Sequence, residues 1–446
     1  MKRLCSMLAV MATLVYGVAF AQEDLTQENA QLRQRVDSLE HSVGELKSEL
    51  AKQGTPAAGA EKIPVWSTVS IQLYGYIKLD ASYDTARVDE GNYIRSVESK
   101  ETSDEDEFNM TARQSRFGLN LSGPDIAATK TSGKVEIDFY GGGTENKNVP
   151  MMRHAYLKVE WPKIDFGILA GQTSDTCSPL FPNTLNYVVG WWAGNPGYRR
   201  PQVRLTKGFG KDVRFLIETA AARTIGHSEP FSDLVDTGED AGFPSTQARC
   251  SLSFPLLTNK KTTLGVSGHY GKEEYEYVPG NENIDTWSVN LDVTLPIFDW
   301  LTFQGEVWRG EDLDSYLAGI GQGIVVRTDK KVYINPPAKI EGTFISAYGI
   351  ASTGGWGSFN CGPFGPWRLN VGAGIDDPNN KDIPITGAGA TKGNGKTQNV
   401  SVWGNVTYDI HKAVQVGVEL SYWNTQYQEK SDGNDVRVQT SLIYKF

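Results

Sequence analysis

At 446 residues the chain has room for two or three ordinary domains or for one large β architecture, and 39% hydrophobic with 22% charged residues is an ordinary balance. Its 43 basic side chains against 53 acidic ones, a formal net charge of -10, argue against nucleic acid as a partner. No stretch beyond Phe20 reaches the roughly 20 consecutive apolar residues of a spanning helix, which leaves a soluble secreted protein or a β-barrel.

The chain opens as a secretory leader does. Lys2 and Arg3 precede an apolar run from Leu4 to Phe20, and Ala19-Phe20-Ala21 supplies the small residues of a cleavage site, so residues 1–21 read as a signal peptide. Cleavage makes Gln22 the first mature residue and leaves 41 basic against 53 acidic side chains, a net of -12. Cys5 departs with the leader. The remaining Cys177, Cys250 and Cys361 are odd in number and far apart, which predicts neither a disulfide framework nor a metal site.

Residues 22–53 read as an α-helical coiled coil. Leu25, Leu32, Leu39 and Leu46 recur every seven residues, and Asn29, Val36, Val43 and Leu50 fill the complementary seam. In a parallel assembly the flanks pair Glu28 with Arg33 and Arg35 with Glu40, so a parallel homo-oligomer follows. Val at one seam with Leu at the other, and one Asn, lean towards two strands by the usual preferences. At roughly 1.5 Å per residue the stretch Leu25 to Lys52 makes a rod of about 42 Å. "GTPAAGAEKIP" then breaks the helix, and residues 54–68 serve as a linker.

From Val69 the period changes from 3.5 to 2. "VSIQLYGYIKLDASYD" puts Ile71, Leu73, Ile77 and Leu79 on one face and Gln72, Tyr74, Lys78 and Asp80 on the other; "RFGLNLSG", "KVEIDFYGG", "WSVNLDVTLP", "NVSVWGNVTYD" and "AVQVGVELSYW" repeat the alternation. A sandwich also alternates, but three features favour a transmembrane β-barrel over residues 69–446. Strands of about 9 to 11 residues suit a tilted crossing; short turns alternate with long polar connections such as Thr85 to Asn109 and Arg223 to Ser245. Aromatics (Trp161, Phe166, Phe254, Phe298, Trp300, Tyr408, Tyr422) cluster at strand ends as an interfacial girdle would. The count is about 16 antiparallel strands, with 18 as the alternative; an even number brings both ends to the periplasmic side. "TSLIYKF" closes the series, with Leu442, Tyr444 and Phe446 towards lipid and a partner near Tyr74.

The order of leader, coil, linker and barrel resembles the DcaP-like trimeric porins of Gram-negative outer membranes. The local likeness lies in "QLYGYIKLD" (Gln72 to Asp80), "RQSRFGLNLSG" (Arg113 to Gly123), "KVEIDFYGG" (Lys134 to Gly142), "RHAYLKVEWP" (Arg153 to Pro162) and "GILAGQTSD" (Gly167 to Asp175). It continues in "GEVWRGEDL" (Gly305 to Leu313), "GGWGSF" (Gly354 to Phe359) and "VGAGIDDP" (Val371 to Pro378), and ends at Phe446. The resemblance implies a homotrimer with a periplasmic coil, overriding the two-stranded lean, and passive diffusion of small, often anionic, dicarboxylate-like solutes. It also implies that Phe446 is an assembly signal read by the barrel-assembly machinery, in a bilayer of outer-membrane lipid and lipopolysaccharide. Cysteines and acidic loops depart from the family's pattern, so its solute preference need not transfer.

Selectivity in a pore follows from diameter and from the charges at a constriction. "TSDTCSPLFPNTLNYVVGWWAGNPGYRR", Thr173 to Arg200, has the length, the prolines and glycines and the aromatics of a loop packed into a lumen; an external lid or a trimer contact is the alternative. Phase places Lys78, Arg116, Lys134, Lys158, Arg204, Arg214, Arg249, Arg368 and Arg437 inside, against Asp80, Glu136, Asp138, Glu160, Glu218, Asp292, Glu306, Asp376 and Glu419. The balance predicts no strong selectivity from net charge. The expectation is a basic side of Arg116, Arg200 and Arg204 facing an acidic side of Glu136, Asp138 and Asp175. "ATKGNGKT" lacks the first glycine of a phosphate loop and precedes a strand pattern; "DDPNNKD" and "SDEDE" lack the spacing of a calcium loop. With no H-E-x-x-H and no G-x-S-x-G, neither an enzyme nor a cofactor or metal is expected. The alternative to a porin is an envelope tether whose barrel is plugged by its own loop.

Overall fold

The computed structural model describes residues 69–124, 128–226, 237–277, 280–335, 341–384 and 395–446. The leader 1–21, the coil positions Leu25, Asn29, Leu32, Val36, Leu39, Val43, Leu46 and Leu50, and the linker lie outside the described residues.

Period-two alternation becomes β1 (Ser70–Asp84), β2 (Glu107–Thr111), β3 (Arg116–Ser122), β4 (Lys130–Asp138), β5 (Met151–Trp161), β6 (Phe166–Ser174), β7 (Arg199–Phe209), β8 (Arg214–Ala222), β9 (Ser245–Pro255), β10 (Lys261–Tyr277), β11 (Gly280–Phe298) and β12 (Leu301–Glu311). A small separate sheet of β13 (Ile324–Thr328), β14 (Val332–Ile334) and β15 (Phe344–Gly349) interrupts it. It resumes in β16 (Ala351–Phe364), β17 (Trp367–Pro378), β18 (Lys396–His411), β19 (Val414–Tyr427) and β20 (Gly433–Lys445).

Neighbours round the wall pair antiparallel, and β20 returns to β1 with Tyr76 opposite Lys445 and Asp84 opposite Arg437. Among the described residues the wall itself has no free edge left to protect. β2 and β3 share one place in the wall, because β1 pairs with β2 over Asp80–Asp84 and with β3 over Ser70–Tyr76. Counted so, the barrel is a closed 16-strand antiparallel cylinder, which decides between the two expected counts.

Burial is inverted relative to a soluble protein. In β1 the outward Ile71, Leu73, Ile77 and Leu79 are exposed while Lys78, Asp80, Ser82 and Asp84 are buried. The apolar parity meets hydrocarbon and the polar parity meets a lumen filled with hydrogen-bonding partners. Outward residues from Val436 to Phe446 on and just past β20 cover about 33 Å of strand, roughly 25 Å of depth at a tilt near 40°. At the short-turn rim Phe298 stacks on Trp300 with centroids 5.5 Å apart, Trp161 lies 5.5 Å from Phe166, and Trp367 lies 4.6 Å from Tyr408. That is the expected interfacial girdle.

Two expectations change. Strands are not uniformly 9 to 11 residues: β10 has 17 and β11 has 19, so the connection between them is short although it lies at the long-loop end. These two strands overshoot the wall because Tyr275 and Ile284 near their tips pack on Ile324, Val326 and Ala347 of the small sheet. The first long loop ends at Glu107 rather than Asn109, since Phe108 and Asn109 pair with Tyr83 and Ser82. No helix among the described residues is long and apolar enough to cross a membrane.

Candidate functional site

The loop between β6 and β7 (residues 175–198) turns into the lumen. Gly190, Gly194 and Gly197 carry φ of 81°, 103° and 103°, and Val189 and Trp192 also sit in the left-handed region at 47° and 63°. The latter are costly for such side chains, about 1–3 kcal/mol each, and persist only where surroundings hold them. The surroundings are the opposite wall. A Cβ on Gly194 would lie 2.1 Å from the Gly355 carbonyl oxygen, so loop and wall backbones touch.

Hydrogen bonds fix the loop along its length. Leu180 N–H donates to Glu306 Oε1 at 2.9 Å, Leu185 N–H to Glu419 Oε2 at 2.6 Å and Asn186 N–H to Glu419 Oε1 at 3.3 Å. The Leu185 carbonyl accepts from Lys78 Nζ at 2.7 Å and from Gln439 Nε2 at 3.0 Å, so one residue is held through both backbone polar groups. Asn399 Nδ2 donates to the Trp192 carbonyl and Trp308 Nε1 to the Gly194 carbonyl. Aromatics complete the packing: Tyr140 stacks on Tyr187 at 3.8 Å, and Trp191 meets Tyr187 at 5.9 Å and Tyr198 at 5.7 Å. Desolvation, with the Asp175 charge second, pushes the buried Cys177 thiol well above its usual value.

The six residues expected at the constriction are placed as follows. Arg116 Nε lies 3.5 Å from Glu136, which also takes Arg153 at 2.8 Å, Lys134 at 3.5 Å and the Tyr74 hydroxyl at 2.7 Å. Asp138 takes Arg153 at 2.6 Å and is fully buried. Asp175 and Arg200 pair at 2.8 Å in a sealed contact, with the Arg200 guanidinium 3.8 Å over the Tyr316 ring. Arg204 contacts Gln202 and the Ser174 carbonyl and stands 3.7 Å from Glu218.

The basic and acidic sides therefore do not face each other across the lumen. They occupy one wall, β3 to β7, as adjacent pairs, because strands next in sequence are next in space. Arg153 was missed for a local reason: the register shifts between Glu136 and Ile137, and the bulge turns an extra β5 residue inward.

The charges are nonetheless sorted. On the far wall Glu306 and Glu419 accept the loop's N–H groups, while Asp376 accepts Ile320 N–H at 3.2 Å and the Ser352 hydroxyl at 2.8 Å. On the near wall a cavity of about 1160 Å³ opens from the short-turn rim up to Thr173, two residues before the inner loop begins at Asp175. Seven cations line it (Lys130, Lys158, Lys163, Arg204, Lys207, Lys211 and Arg214) against three acids, Glu160, Asp165 and Glu218. The turn lysines belong to no strand parity, so phase counting never weighed them.

Residues 25–204 match the family described as DcaP outer membrane protein, a stretch that runs from the expected coil through β6 into β7. No curated protein matches the sequence. Among solved structures, the outer membrane channel DcaP of Acinetobacter baumannii superposes with TM-score 0.66 at 18% identity, covering 85% of this chain and 98% of that one. An anion-selective porin from Comamonas acidovorans gives TM-score 0.53 at 10% identity (85% and 100% covered), and Pseudomonas putida OprB gives 0.51 at 8% (85% and 94%). At such identities the structural likeness establishes the fold.

Proposed function

We propose that the chain is a DcaP-like barrel of the outer membrane and a passive diffusion channel preferring small anions. One observation carries the preference: the far-wall carboxylates are occupied holding loop backbone, while seven cations line the near-wall vestibule against three acids, more than the acids can neutralise. A solute at the inner loop meets net positive potential although the whole chain is acidic.

Lys158 and Arg204 refine the solute. Both sit opposite Leu169 on the strands flanking it, so their Cα atoms are about 10 Å apart by strand spacing. Two cations flanking one uncharged aliphatic residue suit a short dicarboxylate. Their neighbours Glu160, at 2.7 Å from Lys158, and Glu218 are partly exposed, and exposed ion pairs hold a side chain by only about 0–1 kcal/mol. Arg116 and Glu136 stand above as the upper edge of the same path.

The test is the reversal potential of the reconstituted protein in a planar bilayer under a potassium chloride gradient. The reading requires a sign showing chloride to be the more permeant ion; a cation-preferring sign refutes it, and no conductance at all favours the plugged tether. The heptad seam supports a parallel homo-oligomer, and the family resemblance makes it a homotrimer with its coil in the periplasm. Deleting residues 24–52 tests the coil: a trimer unchanged on a native gel means that the coil does not hold it together.

A further inference from the structure

The outer wall carries a bare trough. Gly305 lies opposite Gly357, and Gly357 opposite Ala373, so three adjacent strands present almost no side chain at one level of the lipid-facing surface. One level nearer the long loops, Gly355 continues the floor beside Val307. Side chains cannot simply be added there: a Cβ on Gly305 would lie 2.7 Å from the Trp356 carbonyl oxygen and one on Gly355 2.6 Å from that of Glu306. Leu291, Phe303, Val307, Ile375 and Val400 bank the hollow, whose volume is about 1060 Å³. The Phe303 ring closes its lower end, 3.1 Å from where a Cβ on Gly357 would stand.

Arg309 stands at its upper end. It has the outward parity of β12, is exposed, lines the trough, and also lines a smaller hollow of about 470 Å³ with Thr353, Asn379 and Lys381. Eight residues above Leu301, it lies about 26 Å along the strand, roughly 20 Å of depth at a tilt near 40°. That is the outer edge of an apolar band of about 25 Å, where a lipid-facing arginine reaches headgroups. No ion pair or side-chain hydrogen bond engages its guanidinium among the described residues. The acids at the same rim have other donors: Asp377 accepts from Gln398 at 3.4 Å and Glu311 from Trp287 at 3.3 Å.

We propose that this trough is a binding site for the phosphorylated glycolipid of the outer leaflet, an acyl chain lying on the Gly305–Gly357–Ala373 floor and a phosphate held by Arg309 and Lys381. A guanidinium fork is suited to a phosphate, and an acyl chain fills a bare floor that stiff wall side chains leave open. A second barrel seated here would cover an unpaired guanidinium, whereas the glycolipid supplies its counterion. The inference rests on the outer-membrane reading and on the long loops facing outward.

The test uses the full-length protein, delipidated in detergent and titrated with bis-phosphorylated lipid A, with bound copies counted by native mass spectrometry. Dephosphorylated lipid A and a zwitterionic phospholipid are the comparators. Arg309→Gln is expected to weaken lipid A binding by about tenfold to a hundredfold, the loss of one charge-assisted contact. Ala373→Leu, which fills the floor from an exposed position that already carries a Cβ, is expected to weaken binding while conductance and assembly mass stay unchanged. The proposal is overturned if both variants bind as the parent does or if dephosphorylated lipid A binds equally well. It is also overturned if Ala373→Leu dissolves the assembly with lipid retention intact, which would assign the trough to a barrel–barrel contact. Channel activity in both variants separates failure here from failure of the channel reading.

Discussion

Replacing Glu419 with alanine should loosen the inner loop without unfolding the barrel. Its carboxylate accepts three donors: Leu185 N–H at 2.6 Å, Asn186 N–H at 3.3 Å and Asn405 Nδ2 at 2.9 Å. Asn405 Nδ2 keeps the Asn183 carbonyl at 2.8 Å, so two donors are orphaned. At about 1–3 kcal/mol for each, the low end is about 2 kcal/mol, or about 30-fold in the ratio of released to seated loop. Water entering the gap recovers part of that. The loop does not leave entirely, because Glu306 still holds Leu180, and Lys78 still holds the Leu185 carbonyl. Single-channel recordings should therefore show higher mean conductance with excess open-channel noise, and Glu419→Gln, which retains one acceptor oxygen, should fall between. A Glu419→Ala channel with parental conductance and noise, in a barrel that still shows heat-modifiable mobility, would refute the idea that this clamp sets the constriction.

Three further outcomes are expected. Lys158→Glu with Arg204→Glu turns seven cations and three acids around the vestibule into five of each, and should abolish the anion preference in reversal-potential measurements while leaving conductance of the same order. Cys177, buried with its thiol pushed upward, should stay protonated through pH 9 and escape maleimide labelling until the barrel is denatured, as followed by mass shift. Removing Phe446 deletes its paired backbone hydrogen bonds with Gly75 (3.1 and 3.2 Å) and its ring contact with Phe117 at 5.7 Å. About 1–3 kcal/mol should be lost from the closing seam, read as a lower urea midpoint; an unchanged midpoint would mean that the seam closes without it.

Much of the wall was legible because lipid imposes a simple code. An outward position must be apolar and an inward one polar, so Leu442 and Tyr444 could be assigned to lipid, and the β20–β1 seam to the neighbourhood of Tyr74, from alternation alone. The inner loop was legible for a related reason, since prolines, glycines and aromatics packed into 28 residues between two strands have nowhere favourable to go but inward. What parity cannot supply is which inward charge meets which. Arg200 and Asp175 alternate properly yet lie sealed under Tyr316, a contact made by a loop more than a hundred residues further on.

The sequence by itself determined the barrel, its closure and its folded loop, because these follow from periodicity, length and the chemistry of a bilayer. Only the tertiary structure decided the electrostatics of the lumen. Equal numbers of acids and bases read as neutral along the chain, but the loop's N–H groups occupy Glu306 and Glu419 on one wall, while seven cations outnumber three acids around the vestibule on the other. A hydrogen bond from the inner loop to the wall joins residues up to 254 positions apart, and no local pattern encodes it.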